Sequence, residues 1–130
     1  METMFIRIAL CSTIVDERLK KKYGSEFVVN VSDIKVKLQN MLGAEYALVV
    51  HDRDKTLNKP HLHLVVKAPH EIICLLKELF PIGYCSSCLS YDACLLYLLH
   101  RGHKDKEQYH LSDLFTNIDY VERFPFLKEV

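Results

Sequence analysis

Apolar residues are spaced along this chain in blocks of two different periods, and the alternation of those blocks predicts its elements. Phe5-Ile6-Arg7-Ile8-Ala9-Leu10 alternates weakly and is β-branched enough for a first strand. Residues 12–30 carry a basic run over 18–22 and then Gly24, and read as a short helix followed by a loop or an extended stretch. From Ser32, taken as a cap, Ile34, Leu38, Met41 and Leu42 recur at helical spacing until Gly43 stops them. Residues 46–50 form a strand ending in the polar cluster His51-Asp52-Arg53-Asp54-Lys55. A turn through Leu57, Asn58 and Pro60 leads into a second strand over 61–67, so the pair reads as an antiparallel hairpin. Pro69 opens a helix whose apolar face is Ile72, Ile73, Leu76, Leu79 and Phe80, closed by Pro81 and Gly83. A short strand over 84–88 precedes a helix from about 91 to 101, terminated by Gly102. A charged loop follows, then the short apolar patches Leu111, Leu114, Phe115 and Phe124-Pro125-Phe126. The order of these elements predicts an α+β protein, a central antiparallel sheet with flanking helices.

A length of 130 residues, 49% of them hydrophobic, fits one domain over 1–130 with room for a core and none for a second catalytic domain. There is no internal repeat, low-complexity segment or interdomain linker. The start lacks the basic and long apolar regions of a secretory signal, and no window approaches the length of a membrane span. A cytoplasmic protein with its five cysteines reduced is the expectation. The formal charge of zero is unusual for a protein that binds phosphates, but net charge is not local charge. Arg53, Lys55 and Lys59 flank the histidines of the hairpin, and Arg101, Lys104 and Lys106 follow the last helix.

Candidate chemistry starts in the second hairpin strand. Residues two apart on a strand face the same side, so His61 and His63 project together while Leu62, Leu64 and Val66 face the opposite layer. A histidine pair on a strand is commonly structural; His51 and Asp54 at the adjoining strand end turn it into a ligand set. Three nitrogens and one carboxylate oxygen converging there leave coordination positions open. That mixed set suits Mn2+ or Mg2+ when the open positions take phosphate oxygens, with zinc or cobalt able to substitute.

The second component is Tyr97. At 100° per residue it shares a helix face with Ala93, Cys94, His100 and Arg101, while Leu95, Leu98 and Leu99 lie towards the other side. A tyrosine set apart from the leucines is available to a ligand, and His100, one turn along, is placed to assist proton transfer or contact a phosphate. A phenol with pKa near 10 is a weak nucleophile unless a metal and basic neighbours favour the phenolate. A single helical tyrosine usually just packs; the metal set is what singles this one out.

These residues, His51-Asp52-Arg53-Asp54, then Lys59-Pro60-His61-Leu62-His63-Leu64, then Tyr97-Leu98-Leu99-His100, resemble the ordered motifs of the HUH endonuclease superfamily. The look is of the rolling-circle replication initiator (Rep) proteins of small bacterial plasmids, in their single-tyrosine branch, and it covers roughly residues 46–117. The resemblance implies a Rep-like fold with a ferredoxin-like core and a metal held by His51, Asp54, His61 and His63. It implies that Tyr97 attacks the nick-site phosphate of single-stranded DNA at a plasmid or viral origin hairpin, leaving a 5′-phosphotyrosine adduct and a free 3′-hydroxyl. A later strand transfer would reseal the circle, with host replication proteins as candidate partners. Arg53, Lys55, Arg101, Lys104 and Lys106 are the candidate DNA-binding residues. The segment between Leu10 and Ser32 is longer than that family's pattern, and the oligomerisation or helicase domain of many relatives is not in this sequence, as expected either of a minimal protein or of an excised nuclease domain.

Other residues carry less. Cys85 and Cys88 form a Cys-x-x-Cys without the second pair that zinc sites use. His103 and His110 sit in a charged loop, and Tyr91 and Tyr109 are rival nucleophiles without the favourable face of Tyr97. Competing functions are a relaxase- or transposase-like nuclease, a metal-dependent phosphodiesterase without a covalent intermediate, and a non-catalytic DNA-binding module.

Overall fold

The structure is a computed structural model, and it describes residues 1–9, 21, 24, 30–51, 61–80, 84–88, 90–100, 109–119 and 122. Five strands, β1 (Glu2–Ala9), β2 (Glu45–His51), β3 (His61–Ala68), β4 (Tyr84–Ser87) and β5 (Phe115–Thr116), form one antiparallel sheet in the order β4-β1-β3-β2-β5. Three helices, α1 (Val31–Gln39), α2 (His70–Leu79) and α3 (Tyr91–Leu98), and a single 3-10 turn, Leu111–Asp113, complete the described elements. This is the α+β architecture that the order of apolar blocks predicts. Residues 10–20, 22–23 and 25–29, most of the segment read as a short helix and loop, and the Phe124-Pro125-Phe126 patch lie outside the described residues.

β3 occupies the middle of the sheet, with β1 and β2 on either side. Its residues alternate between two covered faces, which is why nearly every one of them is buried. Leu62, Leu64 and Val66 join Met4, Ile6, Ile8 and Leu48 in a core closed by Ile34 and Leu38 of α1 and Ile73, Leu76 and Phe80 of α2. On the other face Val65, Ala47 and Val49 pack against Tyr91, Cys94, Leu95, Leu98 and Leu99 from the α3 region and against Tyr109 and Leu114. Helices α1 and α2 thus share one face, and α3 has the other, the face that carries His61 and His63. Leu64 is fully buried between strands and helices. Leu64→Ala should therefore cost about 2–5 kcal/mol of unfolding free energy, read by urea denaturation, because the vacated volume cannot be refilled.

Capping explains the helix boundaries. The Asn30 side chain accepts hydrogen bonds from the Ser32 and Asp33 amides at 2.9 and 3.3 Å, so the cap of α1 is Asn30 and not Ser32. Ser90 does the same for α3, its Oγ accepting from the Ala93 amide at 3.2 Å. Pro69 opens α2 as expected, and Phe80 in extended conformation ends it. At the far sheet edge, Asn117 accepts from the Tyr46 amide at 3.0 Å and donates to the Ala44 carbonyl at 2.7 Å, continuing β5 with a side chain.

Other expectations also need correction. Met41 and Leu42 lie beyond α1, which ends at Gln39, and Leu42 is exposed, as is Leu79, expected on the apolar face of α2. The last helix does not run to residue 101: α3 ends at Leu98, and His100 takes a left-handed backbone with φ of 59°. The expectation of fully reduced cysteines also fails, since Cys88, just past β4, is disulfide-bonded to Cys94 in α3. Cys85, its Cys-x-x-Cys neighbour, is free, as is Cys74. Cys85 lies on β4 and Cys94 one helical turn into α3, so chain folding brings the more distant cysteine to Cys88. Cys94 is also buried, so it belongs to the core side of α3 and not to the face of Tyr97.

Candidate metal and nucleophile site

His51 is the last residue of β2 and His61 the first of β3, and the two are directly paired across the hairpin. His63 lies two residues further along β3, opposite Val49 on one side and Arg7 of β1 on the other. Strand alternation and hairpin pairing therefore place three imidazoles on one sheet face. The rings of His51, His61 and His63 are 4.6 to 5.3 Å apart, and all three are buried. One ligand nitrogen from each lies within 4.8 Å of the others, so the cluster is able to hold a metal ion. Neighbouring ligands at about 2.1 Å from one ion are about 3.0–3.4 Å apart, so the rings would draw together by up to about 1–2 Å to coordinate it.

The hydrogen bonding fits the same role. His51 Nε2–H donates to the Leu98 carbonyl at 2.7 Å, which makes Nδ1 the nitrogen that carries the lone pair in that tautomer. A backbone carbonyl commonly orients a ligating imidazole in this way. His63 Nδ1 is buried with no hydrogen-bond partner among the described residues, an arrangement that costs free energy unless something else engages the atom. Asp54, the expected fourth ligand, lies outside the described residues, as do Arg53, Lys55, Arg101, Lys104 and Lys106.

Burial above all, and then the neighbouring His51, His61, Arg7 and His100, lower the pKa of His63 from 6.5 to about 2. His63 is accordingly a neutral donor at any ordinary pH. Its effect on stability follows from the folded value lying below the unfolded one. Between pH 6.5 and 2 the unfolded chain binds a proton at this residue that the folded protein does not. The stability present above pH 6.5 is therefore lost as pH falls through that window, at up to about 1.4 kcal/mol per pH unit from this one group. Urea unfolding of the metal-free protein between pH 8 and 4 checks this, and His63→Gln should flatten the curve by that slope.

Helix α3 lies across this face and turns Tyr97 to its rim. Leu95 and Leu98 are buried beneath the helix, whereas Tyr97 is 38% exposed, as the separation of phenol from leucines predicts. Its ring stands 5.7 Å from that of His63 and meets Phe5 edge-on at 5.3 Å. The sequence-predicted nucleophile and all three predicted ligand histidines, His51, His61 and His63, thus lie at one locus.

His100 reaches the same locus by a different route from the one its spacing implies. Its amide donates to the Tyr97 carbonyl at 3.0 Å, and its left-handed backbone ends the helix, a conformation that histidine tolerates better than most residues. The turn carries the imidazole inward, to 4.4 Å from His51 and 6.3 Å from Tyr97, and buries it. Tyr109 was missed as part of the site. Fully buried, it stacks on His51 at 4.6 Å, and its amide donates to the Leu99 carbonyl at 3.2 Å. As a support for His51 it is enclosed where a nucleophile must be open, and Tyr91 is buried likewise. Arg7 was missed too, since nothing in the first strand marks it until the β1–β3 register sets it beside His63. His110 is exposed, as its charged surroundings predict.

Among the described residues no helix is long and apolar enough to cross a membrane. No protein-family model, curated protein or solved structure matches the chain.

Proposed function

We propose that this protein is a metal-dependent endonuclease of the HUH type that nicks single-stranded DNA through Tyr97 and rejoins strands, as in rolling-circle replication. The observation that carries the reading is the exposed Tyr97 ring 5.7 Å from His63, itself one of three clustered, buried imidazoles. Tyrosine beside a metal-binding set is the combination that forms phosphotyrosine, because a phenol alone is too weak a nucleophile at neutral pH.

Bound at His51, His61 and His63, with Asp54 as the fourth ligand, Mn2+ or Mg2+ would polarise the scissile phosphate and fix its orientation. The protein's own residues account for the rest. The phenolic oxygen of Tyr97 attacks phosphorus, the bond to the 3′ oxygen breaks, and that oxygen leaves as the 3′-hydroxyl. His100 takes the phenolic proton, directly or through one water, and returns a proton to the leaving oxygen. The 5′-phosphotyrosine then persists until a 3′-hydroxyl attacks it and reverses the exchange. Arg53, Lys55, Arg101, Lys104 and Lys106 are proposed to follow the phosphate backbone on either side, which reconciles a neutral total with a basic rim. The substrate is proposed to be an origin hairpin loop, of a plasmid or a virus; relaxase- and transposase-like nucleases would use the same residues.

The test is incubation of the protein with single-stranded oligonucleotides and Mn2+ or Mg2+, followed by intact-mass measurement and peptide mapping. The expected result is a mass increase equal to the 5′-phosphorylated 3′ fragment of the oligonucleotide less one water, located on the peptide that contains Tyr97. Turnover without any adduct would replace this reading with a phosphodiesterase that uses no covalent intermediate.

A further inference from the structure

On the sheet face that carries the histidines, Arg7 is a cation with no structural partner among the described residues. Arg7 sits in the middle of β1, paired with His63 of β3 on one side and with Tyr84 of β4 on the other. Its side chain emerges on the same face as Phe5 and His63, because opposed residues of an antiparallel pair share a face and Phe5 is two positions away. Phe5 touches the rings of both His63, at 4.9 Å, and Tyr97, at 5.3 Å. Arg7 is half-buried, yet among the described residues no carboxylate pairs with it and no acceptor receives its hydrogen bonds. A partly desolvated guanidinium without a counter-charge is an unfavourable arrangement in an empty protein and a favourable one when an anion arrives. Its positive field also reaches His63, so an anion held there would lie at the edge of the metal set.

We infer that Arg7 is a phosphate-binding residue, its guanidinium gripping a phosphodiester oxygen of the single strand next to the phosphate presented to Tyr97. The inference rests on the nuclease reading for its ligand. It goes beyond that reading in placing a DNA contact on β1, a strand remote in sequence from the histidines, the tyrosine and the basic segments around them. Arginine suits the task because its planar fork donates to two oxygens at once and stays charged at every working pH. Held from the sheet floor, it fixes the register of the backbone across the site, so that one phosphate and not its neighbour meets the phenol.

The experiment measures binding of a single-stranded oligonucleotide to the wild-type chain, Arg7→Lys and Arg7→Gln across a series of salt concentrations, alongside adduct formation by the wild type with Mn2+. Arg7→Gln should bind roughly tenfold more weakly, as expected for one lost charge-assisted contact. Its plot of log affinity against log salt should be shallower by about 0.7, the share of one phosphate on a single strand. Arg7→Lys should restore the salt slope, since the charge returns, while recovering only part of the affinity and shifting some cleavage to an adjacent phosphate. A merely structural arginine would not move the slope, and circular dichroism identifies a variant that has failed to fold. Identical slopes in wild type and both variants, with adduct formed, would overturn the role of Arg7 and leave the nuclease reading standing. The slope change without wild-type adduct would uphold the phosphate contact and remove the nucleophile assignment. No binding by the wild type at low salt would overturn both.

Discussion

Tyr97→Phe is expected to abolish the covalent adduct, lowering its rate of formation by at least about 10^3-fold, while binding of single-stranded DNA stays within a factor of about two. The substitution removes one oxygen and leaves the ring that packs against Phe5 and His63. Because that oxygen belongs to a residue at the rim of the sheet face, stability should change by no more than about 0.5 kcal/mol. Denaturing electrophoresis of labelled oligonucleotide, with thermal unfolding as the folding control, separates the outcomes. Adduct that persists undiminished in the variant would transfer the chemistry to another residue. Tyr91 and Tyr109, both buried, would then require an opening of the α3 face before either could reach a phosphate.

The next largest effect is expected at the metal set. Adding Mn2+ at a hundred times its dissociation constant should stabilise the wild-type chain by about 2.7 kcal/mol, since the ion binds the folded arrangement and not the dispersed histidines of the unfolded chain. A chelator should return the melting temperature to its metal-free value. His61→Ala should remove most of that response, with metal affinity falling by more than about a hundredfold, because one of three mutually adjacent nitrogens is lost. Isothermal titration with Mn2+ measures this directly, without recourse to cleavage. His110→Ala provides the contrast: an exposed histidine that is not one of the three clustered residues should leave the titration unchanged. An equal metal response in wild type and His61→Ala would mean that the imidazoles are a structural cluster.

Much of this was written in local order. Alternation across residues 61–66 settles which side chains of β3 face α1 and α2 and which face α3, because a strand repeats every two residues whatever surrounds it. The hairpin follows from two apolar runs separated by a polar cluster, and it necessarily carries His51 towards His61. The apolar stripe of α2 and the leucines of α3 are legible for the same reason, since helical period predicts a buried face before any partner is known. Boundaries were less legible. Ser32 and Asn30 are both good caps, and only the hydrogen bonds to the Ser32 and Asp33 amides select Asn30.

Other features depend on contacts between segments far apart in the chain, which no local period encodes. Arg7 acquires meaning only when β1 inserts between β3 and β4, and Tyr109 only when the chain after α3 returns to cover His51. The Cys88–Cys94 bond similarly depends on how β4 leads into α3. His100 is the sharpest case. Helical spacing sets it on the face of Tyr97, but the helix stops at Leu98 and the left-handed turn swings the imidazole to His51 instead. By itself the sequence determined the α+β class, the faces of its strands and the residue types able to bind a metal and attack a phosphate. Tertiary structure alone decided which of those groups meet, because side-chain direction repeats over a few residues whereas convergence depends on strand order, pairing register and where each helix ends.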